Sequence, residues 1–169
     1  MADLWYALHV KPHKERVVTN YLSGDEALDV FFPSMKVTPK NPRAAKVRPY
    51  FPGYIFVRID LEERGSNALQ WTPGAKGLVR FGNEAAVVPE GFIQELQKRL
   101  ALLSTAALTG PKFIPGERVR IIGGPFEGYE AIFDWQYADK DRVQVLLKYL
   151  SDQYRRVKLD ATDIGKVKG

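Results

Sequence analysis

Gly116-Glu117-Arg118-Val119-Arg120-Ile121-Ile122-Gly123-Gly124-Pro125-Phe126-Glu127-Gly128 starts as a short basic-flanked strand and breaks at a glycine–proline turn. Two glycines and a proline force a tight reversal. Phe126, just past the turn, is an anchor for a very small core. Further on lie Ala131-Ile132-Phe133-Asp134-Trp135, Val143-Gln144-Val145-Leu146-Leu147 and Arg156-Val157-Lys158-Leu159. With Val119–Ile122 they make strand-like runs at regular spacing, the pattern of a small β-barrel. The stretch from Val145 to Val157 admits a second reading. Leu146, Tyr149, Leu150, Gln153 and Val157 fall near a helical stripe, and no Gly or Pro occurs from Tyr129 to Ile164. The local period does not decide between the two. The turn upstream needs barrel partners, so the expectation is β.

Upstream of the barrel, Ser104-Thr105-Ala106-Ala107-Leu108-Thr109-Gly110-Pro111 is small and uncharged, a candidate linker. Before it, strands and helices alternate, as in an α+β sandwich. Trp5–Val10 reads as a strand. Pro12 opens a helix carrying Val17, Val18, Tyr21 and Leu22, and Gly24 ends it. Val30-Phe31-Phe32 and Met35-Lys36-Val37 read as short strands around Pro33, followed by an exposed loop through Pro39 and Pro42. Tyr54–Ile59 is the clearest strand of this half, and Glu62–Gln70 is polar, a short helix or loop. Leu78–Phe81 and Ala86–Val88 flank Gly82-Asn83-Glu84 as a hairpin. Pro89-Glu90 begins a helix with Phe92, Ile93, Leu96, Leu100 and Leu103 on one stripe.

Composition narrows the function classes. The 169 residues are 45% hydrophobic and 27% charged, enough for packed cores and too polar for a membrane protein. No run approaches the roughly 18 apolar residues of a membrane span. No signal peptide is visible and cysteine is absent, which excludes disulfides and thiolate metal sites and suits a cytoplasmic location. The net charge of +5 is mild, and both halves mix the two signs. Between Val30 and Ile59 there is no acid, while Lys36, Lys40, Arg43, Lys46, Arg48 and Arg58 all fall there. That segment is either a solvated hairpin or a surface placed near phosphate. Catalysis has little support: the histidines are His9 and His13, and no metal-ligand spacing, phosphate loop or nucleophile elbow occurs. No cofactor is expected.

The glycine–proline turn with its flanking strands is identified as a KOW motif. A second motif, Tyr50-Phe51-Pro52-Gly53-Tyr54-Ile55-Phe56-Val57, precedes it. With Trp5-Tyr6 and Gly77-Leu78-Val79-Arg80-Phe81, the chain resembles the NusG family of bacterial transcription elongation factors over nearly its whole length. Val79-Arg80-Phe81-Gly82, Ala86-Val87-Val88-Pro89 and Phe126–Phe133 are similar to the specialised RfaH type. The resemblance implies an NGN α/β sandwich with an antiparallel sheet at 1–103 that rides on RNA polymerase. A linker at 104–112 and an SH3-like KOW barrel at 113–169 follow. It also implies a monomer acting in antitermination.

The resemblance also assigns roles. Phe51, Tyr54 and Phe56 would form a depression that grips the polymerase clamp helices, extended by Phe81, Ile93 and Leu96. By residue pattern alone Phe51, Tyr54 and Phe56 read first as ordinary core, although Pro52-Gly53 bends the chain and could leave Phe51 at an exposed rim. Ser66 and Asn67 would touch the far side of the polymerase cleft. Lys11, His13, Lys14 and Arg16 cluster where the first helix begins, either a solvated turn or a phosphate site. The resemblance places this end near the non-template DNA strand of the transcription bubble, with Thr72 and Lys76 extending the surface. Leu150 would contact ribosomal protein S10 or termination factor Rho. In RfaH-type proteins the barrel sequence can instead fold as a helical hairpin over the polymerase-binding face. Here Arg48 lies beside Phe51, and Arg142 begins the strand that would switch. The two cations would repel, so the expectation is a permanently folded barrel. An alternative function is a ribosome-associated RNA-binding KOW protein, which leaves Phe51 to Phe56 as mere core.

Overall fold

The computed structural model describes residues 3–36, 47–65, 69–109, 126–134 and 137–168. Its frame is an antiparallel sheet built around β1 (Leu4–Val10) and β5 (Tyr54–Ile59), paired from Leu4 opposite Ile59 to His9 opposite Tyr54. β2 (Asp29–Phe31) adds to β5, while β6 (Ala75–Leu78) and β9 (Val87–Val88) pair with β1, giving the order β2-β5-β1-β6 with β9 also on β1. β3 (Ser34–Lys36) pairs with β4 (Val47–Pro49), and β7 (Arg80–Phe81) with β8 (Glu84–Ala85). This hairpin is tighter than the one expected between Leu78–Phe81 and Ala86–Val88: Glu84 is in a strand rather than the turn, and Leu78 and Val87–Val88 pair with β1.

Both faces of the sheet are buried, so β1 and β5 are apolar on alternate sides. Tyr6, Leu8 and Val10 of β1 and Ile55, Val57 and Ile59 of β5 face one layer with Val18 and Leu22 of α1 (Glu15–Ser23). Trp5 and Ala7, with Tyr54 and Phe56, face the other, against Phe92, Ile93, Leu96 and Leu100 of α3 (Glu90–Thr109). The helix expected from Pro12 starts three residues later, after a turn in which His13 has φ 64°. The polar segment after β5 holds the short α2 (Leu61–Arg64), capped by Asp60 accepting from the amides of Glu62 and Glu63. α3 runs on through 104–109, the first part of the expected linker; 110–112 lie outside the described residues.

The loop before β6 is tied to α1 at Gly74. Its carbonyl accepts from the Lys11 amide at 2.8 Å, its φ is +88°, and a Cβ there would lie 2.9 Å from Val18 Cγ2. A non-glycine residue held at positive φ costs about 1–2 kcal/mol before any clash. Gly74→Ala is therefore expected to lower the thermal midpoint by several degrees. An unchanged melting curve would show that this loop does not constrain the sheet.

The C-terminal segment departs from expectation. Residues expected as barrel strands at Val143–Leu147 and Arg156–Leu159 lie instead within one helix, α4 (Asp139–Lys168). Ala131–Phe133 falls in a 3-10 turn, Glu130–Phe133, and Gly116–Pro125 lies outside the described residues. The reason is visible in α4. Arg142, Leu146, Tyr149 and Leu150 recur at helical spacing and are all buried. Ile132, Phe133, Leu146, Tyr149 and Leu150 join the core layer that holds Phe51, Phe56 and Phe92. The helical period thus gains an apolar partner that local sequence does not reveal, and among the described residues the segment expected as a permanently folded barrel is helical.

Candidate functional site

The aromatic face of the sheet is one candidate site. Tyr50 and Phe51 meet edge-on at 5.0 Å, Phe51 meets Phe56 at 6.2 Å, and Phe56 meets Phe92 at 5.8 Å. Phe92 then stacks on Tyr149 of α4 at 5.3 Å and contacts Phe126 and Phe133. Phe81 packs on Tyr154 of α4 at 5.6 Å. The structure brings Phe51, Tyr54, Phe56, Phe81, Ile93 and Leu96 into one core layer. It covers them with the chain's own C-terminal helix: Phe51 is fully buried, not at an exposed rim. Leu150 is buried in the same layer. Ser66 and Asn67 lie outside the described residues.

A charged clasp borders this layer. Arg142 is 1% exposed; its Nε donates to the Tyr50 carbonyl at 3.1 Å, and its other donors reach the Tyr137 carbonyl and Asp139. Its guanidinium sits 4.3 Å from the centre of the Tyr50 ring. Arg48 donates to the second oxygen of Asp139 at 2.7 Å. The expected repulsion between Arg48 and Arg142 does not arise, because one carboxylate bridges both. Burial pushes the Tyr149 phenol up, opposed by a hydrogen bond from Gln153 and by the charge of Arg156.

The second candidate region lies on the opposite side of the sheet. Lys11, His13, Lys14 and Arg16 are exposed at the start of α1, and Lys76 is exposed on β6. Thr72 is buried and offers little surface. Glu15, within the cationic cluster, is buried too, accepting from the Gly53 amide at 2.8 Å. On the face of β1 that carries Trp5 and Ala7, His9 stacks on Tyr54 at 4.7 Å, and desolvation followed by the charge of Lys76 holds its imidazole below the usual histidine range. The sequence reading missed Trp71. It is 84% exposed, and with Tyr21, 60% exposed, it lines an open cleft of about 770 Å³. A lone tryptophan in a polar stretch just before Pro73-Gly74 was the available signal.

The structure is a two-faced sheet domain with an aromatic layer, covered by α4, on one side and exposed cations on the other. The chain belongs to the NusG family: residues 3–97 match the family model described as transcription termination factor nusG. It is similar to the transcription termination/antitermination proteins NusG of Pseudomonas aeruginosa, 25% identical over 99% of this chain and all of the relative, and of Bacillus subtilis, 26% identical over the same shares. A NusG relative from Thermus thermophilus is 24% identical over 98% of this chain and its own full length. A Thermotoga maritima NusG structure, described by its domain interaction, aligns at 17% identity over 73% of this chain and 75% of its own, with a TM-score of 0.45. The family's proteins are transcription factors rather than enzymes. Among the described residues no helix is long and apolar enough to cross a membrane.

Proposed function

We propose that this chain is a specialised, RfaH-like antitermination paralogue of the NusG family, caught in its closed form. Termination and antitermination proteins act on transcribing RNA polymerase. In this reading residues 1–103 bind the polymerase clamp through Phe51, Tyr54, Phe56, Phe81, Ile93 and Leu96, with Ser66 and Asn67 on the far side of the cleft. The basic turn of Lys11, His13, Lys14 and Arg16, with Lys76, tracks the non-template DNA strand. The helix Asp139–Lys168 is a reversible cover, and the C-terminal segment, 113–169, becomes the KOW barrel once the cover is released; the connection at 104–112 begins as the end of α3. Leu150 then passes from the covered layer to a partner such as ribosomal protein S10 or Rho.

The observation that carries this reading is the cover itself. Aromatic side chains suited to gripping a helix pair are occupied by a helix of the same chain, clasped at its start by Asp139. A cover lowers apparent affinity in proportion to the closed fraction, which suits a factor that acts only where it is recruited. Single-round transcription by bacterial polymerase on a pause-rich template tests it. The full chain is expected to shorten pauses and lengthen transcripts, and to do so more strongly when the cover is weakened. No polymerase binding by either form would defeat the proposal.

A further inference from the structure

We infer that Glu15 is a positioning residue of the proposed polymerase-binding face: its carboxylate holds the Phe51–Tyr54 turn in shape once α4 has left it. The inference rests on the proposed switch and names the residue that keeps the uncovered face competent. Glu15 is the acid in the first turn of α1, where the helix dipole favours a negative charge. Its neighbours Lys14 and Arg16 are exposed, yet Glu15 is only 5% exposed. Taking a carboxylate out of water is costly unless its oxygens are used. Here the use is not local. α1 has no side-chain cap at Lys14, and Glu15 Oε2 reaches across 38 positions of sequence to accept from the Gly53 amide at 2.8 Å.

Gly53 is the pivot of the aromatic turn. Its φ of +91° lies where a side chain is strained. Its carbonyl accepts from the Val10 amide at 2.8 Å and its amide donates to Glu15, so both of its backbone groups are fixed from outside the turn. The Tyr54 amide closes back on the Phe51 carbonyl at 3.0 Å, and the Tyr54 ring stacks on His9 at 4.7 Å. The directions of Phe51 and Tyr54 therefore follow from how Gly53 is held. The Tyr50 end of the turn is held differently. Its carbonyl accepts from Arg142 Nε at 3.1 Å, and the Arg142 guanidinium lies on the Tyr50 ring. Arg142 belongs to α4, so in the proposed switch that tie goes when the cover leaves, while the Tyr50 amide keeps its bond to the Pro33 carbonyl. The bond from Gly53 to Glu15 lies wholly within residues 1–103 and stays. An anchor already held in its bound direction loses less freedom on binding, which is what Glu15 contributes to the open form.

The test compares Glu15→Ala with Glu15→Gln in the full chain, alone and combined with Tyr149→Ala, which uncovers the face. Glutamine keeps an acceptor oxygen at this site and alanine removes it. In the uncovered chain Glu15→Ala should weaken binding to bacterial RNA polymerase about tenfold, the scale of one hydrogen bond, and Glu15→Gln less than about threefold. Hydrogen exchange of the Gly53 amide, followed by NMR, should speed up about tenfold or more in Glu15→Ala and little in Glu15→Gln. With the cover in place that acceleration should be smaller, because Arg142 still holds Tyr50. Ile59→Ala, a buried change at the far end of β5, controls for stability. It should lower the thermal midpoint and leave polymerase affinity unchanged well below that midpoint. Equal losses in Glu15→Gln and Glu15→Ala, or a loss matched by Ile59→Ala, would overturn the inference. So would a Gly53 amide whose exchange ignores Glu15→Ala. If the Tyr149→Ala chain binds polymerase and adding Glu15→Ala changes nothing, the polymerase reading stands and the Glu15 assignment falls. If the uncovered chain binds no polymerase, both fall.

Discussion

Asp139→Ala is expected to release α4 from the sheet. The carboxylate neutralises Arg142, which is 1% exposed, and at the same time holds Arg48. Removing one partner of a buried ion pair strands the other charge, at a cost of about 3 kcal/mol or more. Asp139 is 24% exposed, so water recovers part of that cost. Even 2 kcal/mol would shift a closed-to-open equilibrium by roughly thirtyfold. In the proposed switch the closed form alone makes this clasp, so the loss would fall on the cover and leave the sheet intact. Limited proteolysis should cut the C-terminal segment faster, and polymerase affinity should rise. Arg48→Ala is the contrast. Arg48 is 56% exposed, and an exposed pair contributes at most about 1 kcal/mol. If Asp139→Ala leaves both proteolysis and polymerase affinity unchanged, the clasp does not hold the cover.

The sheet was legible because its signal is local. Period-2 alternation in Trp5–Val10 and Tyr54–Ile59 separates the two layers, and the stripe from Phe92 to Leu100 predicts the face of α3 that packs. The C-terminal segment was not legible, because Val145–Val157 satisfies both periods and the deciding partners, Phe56 and Phe92, lie more than fifty residues away in sequence. The charge argument failed for a nearer reason. It set Arg48 against Arg142 and overlooked Asp139, three residues before Arg142 and one helical turn away. The burial of Tyr54 and Phe56 agrees with the ordinary-core reading of their strand, but the burial of Phe51 was not legible: exposure depends on what covers a face, and part of the cover here comes from α4. Trp71 escaped because a single aromatic in a polar loop has no periodicity to mark it.

Tyr149→Ala and Phe56→Ala should part company although both remove a buried ring from the same layer. Tyr149 packs on Phe92, Phe126 and Tyr129, and Phe56 on Phe31, Phe51 and Phe92. Truncating a buried aromatic costs about 3–5 kcal/mol. Tyr149 belongs to α4, so in the proposed switch its loss destabilises only the closed form; at 3 kcal/mol the closed-to-open ratio would fall more than a hundredfold. Polymerase binding should strengthen until the protein is essentially open, and then gain no further. Phe56 belongs to the sheet and to the proposed clamp-binding face. Its loss weakens the cover as well, but it also removes an anchor from the surface thereby exposed. Phe56→Ala should therefore open the chain by proteolysis and still bind polymerase less well than Tyr149→Ala by tenfold or more, the scale of an interface hot spot. Circular dichroism and the cleavage pattern of residues 1–103 verify that the sheet survives in each variant. Equal polymerase affinities for two variants that are equally open would remove Phe56 from the interface and leave it as core. Weaker binding by Tyr149→Ala than by the unaltered chain would mean that α4 is part of the polymerase-binding surface rather than its cover.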